Sequence, residues 1–166
     1  MSNGFSRRQL GLLVAGLGAS AGLGRAYAKG KDVLQGHAIV ADGIAIYLGV
    51  IPSAMIARGY AMSAPEHMMH GGPPPKGVHY HHVMVALYDN STGKRITDAK
   101  VTATVRPLGL GGTTKAMAPF MLAGAMTYCN YFDMPENGVY RIDLQIERPG
   151  KAPVKAELQY THVAGN

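Results

Sequence analysis

Five of the seven histidines fall between positions 67 and 82: His67, His70, His79, His81 and His82. Met62, Met68 and Met69 lie in or beside the same run, which reads Glu66-His67-Met68-Met69-His70 and later His79-Tyr80-His81-His82. Imidazole nitrogen binds copper, zinc, nickel and iron, and thioether sulfur adds a preference for Cu(I). Carboxylates are scarce here apart from Glu66, which argues against a hard-cation site for calcium or magnesium. The pattern is therefore suited to holding a soft or borderline transition-metal ion. His79 and His81 project from one face of an extended segment, about 6–7 Å apart along the chain, so both can converge on one ion. His82 points to the other face and is expected to pack. His67 and His70 can meet within one turn, bringing Met68 or Met69 close. The competing reading is a solvated loop with only adventitious affinity for metal.

These residues need a scaffold. Residues 61–78 carry Pro65 and the run Gly71-Gly72-Pro73-Pro74-Pro75. Proline cannot donate to a strand ladder and glycine weakens strands, so this stretch reads as a long loop. The His/Met-rich segment 61–82 thus runs from a loop into a strand. Elsewhere the period is two. Val101, Ala103 and Val105 alternate with Thr102, Thr104 and Arg106; Tyr140, Ile142, Leu144 and Ile146 alternate with Arg141, Asp143, Gln145 and Glu147. Val154, Ala156, Leu158 and Tyr160 repeat the pattern. Alternation buries one face of a sheet and wets the other. Further strands are expected over residues 38–50, 83–88, 117–122 and 126–134. Turn signals at Asp89-Asn90-Ser91-Thr92-Gly93, Pro135-Glu136-Asn137-Gly138 and Pro149-Gly150 separate them. The expectation is an all-β domain: a single immunoglobulin-like antiparallel β-sandwich of about seven strands, with a small barrel as the alternative.

The N-terminus says where such a domain would work. Arg7 and Arg8 precede an apolar, glycine-loosened stretch that closes at Ala26-Tyr27-Ala28. This is the pattern of a twin-arginine export signal spanning residues 1–28. From Leu10 to Leu23 it is shorter than the roughly 20 apolar residues a spanning helix needs. Cleavage after Ala28 leaves residues 29–166 as one domain, expected in the periplasm. The signal holds three of the 16 basic residues and none of the 10 acids, so the remainder is near +3 rather than +6. No basic stripe with interleaved aromatics is present, so nucleic acid is not an expected partner. Cys129 is the single cysteine, which excludes an internal disulfide, a CxxC centre and a thiolate cage. It is expected to be buried and inert, with a metal-bound thiolate as the other option. No GxSxG, HExxH or P-loop motif occurs, and the chain is not expected to be an enzyme.

Three stretches are similar to a known family. Residues 43–51, Gly-Ile-Ala-Ile-Tyr-Leu-Gly-Val-Ile, resemble the first strands of the periplasmic high-affinity ferrous-iron transport accessory family. His82-Val83-Met84-Val85-Ala86-Leu87-Tyr88 with Thr92-Gly93-Lys94 resembles its central strand and turn. Pro119-Phe120-Met121-Leu122 through Tyr128 to Met134-Pro135, then Gly138-Val139-Tyr140, follows the order of its later strands. FixH-like and YtkA-like envelope sandwiches share looser versions of this pattern. The resemblance spans roughly residues 43–150. It implies an immunoglobulin-like sandwich, often dimeric, that binds copper or iron through methionine, histidine and an acidic residue. Met55 lies where that family has a Met-Glu pair, but no glutamate follows it. Met121 lies near its strand methionine. Thr127-Tyr128-Cys129 stands where that family has His-Tyr-Gly, so that histidine is missing.

The expected function is thus transition-metal binding in uptake, delivery or homeostasis. The Met/His mix favours copper, and the resemblance favours ferrous iron. His79 and His81 are the leading ligands, with His67, Met68, Met69 and His70 completing or capping the site and Met55 and Met121 as outlying candidates. The alternative is an interaction or assembly module for an envelope enzyme or inner-membrane permease, docking through a sheet edge or apolar patch.

Overall fold

The computed structural model describes residues 37–59, 74–122 and 124–163. The expected export signal at 1–28 and the His67, Met68, Met69 and His70 run lie outside the described residues. Eight strands form: β1 Ala38–Ala41, β2 Ile44–Pro52, β3 Tyr80–Asp89, β4 Lys100–Pro107, β5 Thr113–Leu122, β6 Ala125–Asp133, β7 Gly138–Glu147 and β8 Val154–His162. The fold is all-β, as the period-two patterning requires. On β7, Tyr140, Ile142, Leu144 and Ile146 are buried, while Arg141 and Asp143 pair with Arg106 and Glu157 across the outer face. Each fully buried branched side chain contributes about 1.5–3 kcal/mol through removal of apolar surface from water.

The eight strands accord with the expectation of about seven, with one run divided in two. Residues 38–50 are not one strand but a hairpin, with Ala41 opposite Ile44. The two-residue loop is Asp42-Gly43, and both residues have positive φ, 43° and 79°. That is the type I′ geometry favoured by Asp-Gly, whose twist matches that of paired strands. A short helix, α1, Ser53–Gly59, is also new. About two turns are too short for helical periodicity to register in a sequence. Among the described residues no helix is long and apolar enough to cross a membrane.

All pairings are antiparallel, in the order β1-β2-β3-β6-β5-β4-β7-β8. The meander β4-β5-β6 is flanked by β3 on one side and β7 on the other, which is Greek-key connectivity on both sides. Residues 113–117 of β5 pair with β4, and residues 118–122 pair with β6. One strand therefore belongs to both layers. Below the split, Asn130 Nδ2 donates to the Ala116 carbonyl at 2.8 Å and Lys115 Nζ to the Tyr131 carbonyl at 2.6 Å, so side chains replace the missing ladder bonds. At the far seam β1 meets β8, and the His37 ring lies 5.9 Å from that of Tyr160. The sandwich is almost closed. Its core runs through Ile46, Val83, Val85, Leu87, Val101, Ala103, Ile142 and Leu144.

The β3–β4 turn uses Asp89 as a local staple. Its Oδ1 accepts from the Ser91 and Thr92 amides and hydroxyls, which holds its pKa down at about 2. Gly43 has open space around it, so replacing it tests backbone conformation alone. Gly43→Ala should lower stability by about 1 kcal/mol, the cost of a left-handed residue bearing a Cβ. An unchanged urea midpoint would show that this turn does not hold the hairpin.

Candidate functional site

One end of the sandwich gathers the imidazoles. There β3 begins opposite the end of β6, with Tyr80 across from Asp133, and β7 begins opposite the end of β8, with Gly138 across from His162. His81 shares the inward face of β3 with Val83, Val85 and Leu87, and is only 2% exposed. Its ladder neighbours are Pro52 on β2 and Phe132 on β6.

The His81 ring is oriented by backbone. Its Nδ1 lies 2.9 Å from the His79 carbonyl. A carbonyl can only accept, so Nδ1 donates to it, and in the neutral ring the lone pair is on Nε2. The same carbonyl accepts the Met134 amide at 2.9 Å, which ties the start of β3 to the residue following β6. A backbone-anchored histidine with a defined free-lone-pair nitrogen is the arrangement that metal-ligating imidazoles use.

A second imidazole enters from the opposite layer. His162, the last residue of β8, is 5% exposed. Its ring centroid is 4.5 Å from that of His81 at an interplanar angle of 74°, and 6.2 Å from that of Tyr140. Burial, and then the neighbouring His81 and His79, push its pKa below the ordinary histidine value. The sequence reading did not single out His162. A lone histidine at a strand end carries no local signal; only the β7–β8 register brings it here.

The other candidates separate. His79 is exposed in the turn before β3: its carbonyl orients His81, while its side chain faces solvent. His82 turns to the opposite face, where its ring packs 4.9 Å from Tyr131. Met55 sits on α1, which begins directly after Pro52, the ladder partner of His81, and is 62% exposed. Met121 is 45% exposed and pairs with Met126, at the other end of β6 from Phe132 and about 20 Å away along the strand. The structure therefore does not bring Met121 to the histidines. Among the described residues no three His, Cys, Asp or Glu side chains gather closely enough to hold an ion by themselves.

No protein-family model matches the chain, and no curated protein matches it. Solved structures do. A DUF4426-family protein of Pseudomonas aeruginosa matches with a TM-score of 0.58 at 13% identity, over 78% of this chain and 96% of the other. A copper-bound variant of FetP from uropathogenic Escherichia coli matches at 0.55 and 14%, over 78% and 95%. A copper-bound variant of Campylobacter jejuni P19 matches at 0.54 and 12%, over 79% and 97%. The chain shares their fold. At these identities the likeness is one of architecture.

Cys129 faces Met84 across the β3–β6 ladder. Burial pushes its thiol up to about 12, so at neutral pH it is protonated and packs as a small apolar group. His162 gives the site a pH signature. Folded His162 is harder to protonate than unfolded His162. Its contribution to stability is therefore complete above about 6.5 and is lost as the pH falls from there through the lower folded value. Without metal, the urea midpoint should drop between about pH 7.5 and about pH 5, and drop less in His162→Gln. Parallel pH profiles in the two proteins would show that His162 is not the group responsible.

Proposed function

We propose that this is an exported, non-enzymatic protein of the bacterial periplasm that binds a transition-metal ion, copper or ferrous iron, for uptake or delivery. The observation that carries the reading is His81: a buried imidazole whose Nδ1 is pinned to a backbone carbonyl, so that Nε2 is the nitrogen open to an ion. The shared fold supports it, since the FetP and P19 variants are copper-bound and FetP has been produced in the periplasm. The twin-arginine pattern at Arg7-Arg8 supports the location.

The donor chemistry fits an imidazole-binding ion. The Met-rich composition of residues 61–82 adds thioether sulfur and favours copper; the resemblance to the ferrous-iron accessory family favours iron. His79 and His81 are the ligands at the strand start. His67, Met68, Met69 and His70 are the further donors this reading assigns, with Met55 nearby on α1. Met121 is left out because of its distance. The ion is cargo, and an inner-membrane permease is the partner class that would receive it.

A second reading has its own observation. Met55, Val78, Leu108, Leu110 and Val163 are all exposed, and all follow or precede strand ends at the His81 end. Such a rim suits a protein partner, as an assembly module for an envelope enzyme or permease would require.

Elemental analysis of residues 29–166 purified from the periplasm, followed by chelator competition with Cu(I), Cu(II), Fe(II) and Zn(II), tests the first reading. One tightly held equivalent is expected, and it should be lost in His79→Ala/His81→Ala with the fold intact by circular dichroism. Weak binding of several equivalents, or unchanged affinity in the double variant, would overturn it. Partner capture that persists in chelator would favour the second reading.

A further inference from the structure

We propose that His81 and His162 are two ligands of one metal ion held between the layers, so that the ion links β3 to β8. This deepens the proposed function and rests on it. The two residues are far apart in sequence and belong to opposite sheets, yet their ring centroids are 4.5 Å apart. With metal–nitrogen bonds of about 2.0–2.1 Å, two imidazoles bound to one ion at a bent angle place their centroids at about this spacing.

The polar accounting points the same way. Both rings are more than nine-tenths buried. His81 spends Nδ1 on the His79 carbonyl, which makes Nε2 its nitrogen open to an ion. A cation between the rings would take a lone pair from each. Tyr140, which flanks His162, turns its hydroxyl to the Glu136 amide, from which it accepts at 3.0 Å. Two nitrogen donors without a carboxylate between them suit a borderline or soft ion of the copper or zinc kind and not a hard one. The exposed His79 side chain lies at the mouth, where an ion enters.

The strand arrangement gives the pairing a mechanical meaning. His162 closes β8 and His81 opens β3, so an ion bridging them fastens the terminal strand of one layer to a central strand of the other. Binding should therefore raise the melting temperature and protect the last amides of β8 from exchange.

Zn(II) titration of residues 29–166, followed through the imidazole nitrogen resonances, reads the ligands directly. The His81 and His162 signals should both move to coordinated values at one equivalent. In His162→Gln, Zn(II) and Cu(II) affinity should fall by more than the 10–100-fold that loss of a supporting residue costs, and the Cu(II) spectrum should show one fewer coordinated nitrogen. If the ion binds and the His162 resonances stay put, the pairing is wrong while the proposed function stands. If the wild-type chain binds no ion, both fall. Should His162→Gln fail to fold, the wild-type resonances decide alone.

Discussion

Strand β5 cannot satisfy both layers along its whole length, and the rest of the architecture follows from how it divides itself. Its first half completes the sheet of β4, β7 and β8; its second half completes the sheet of β1, β2, β3 and β6. The division turns two sheets into one continuous, nearly closed surface. It also parts β5 from the lower half of β6, and there Lys115 and Asn130 cap backbone carbonyls that would otherwise face the gap. The uncapped carbonyls would each cost on the order of 1–3 kcal/mol if buried without a partner. Closure on this side sets how the far ends of the layers approach, and so sets the meeting of His81 with His162.

Much of this scaffold was legible as alternation. The patterns at Val101–Val105, Tyr140–Ile146 and Val154–Tyr160 name faces as well as strands, because a period of two has no other stable reading in a half-buried sheet. What escaped was local and conformational. Asp42-Gly43 sits inside a long apolar run, where hydrophobicity argued for continuity and only backbone handedness argued for a turn. The helix α1 escaped because seven residues hold too few turns to show a period.

The site divides along the same line. His81 stood out in the sequence only as part of the His79–His82 run; the structure sets it on the inward face with Val83 and Val85. His79 was expected to share that face, but it precedes the strand, and its backbone rather than its ring meets His81. His162 was invisible, since its meaning comes from register between strands distant in sequence. Met121 misled because order along the chain resembles order in a family without fixing distance in space: the β5–β6 hairpin carries it to the other end of the sheet.

The seam between β1 and β8 has a bearing on what can bind. A sheet normally recruits extended peptides at its margins, where amides and carbonyls await partners. Here one margin is only four residues long, and it lies against the other. Little main chain is left on offer. Among the described residues, then, recognition of this domain would rest on side chains more than on an added strand.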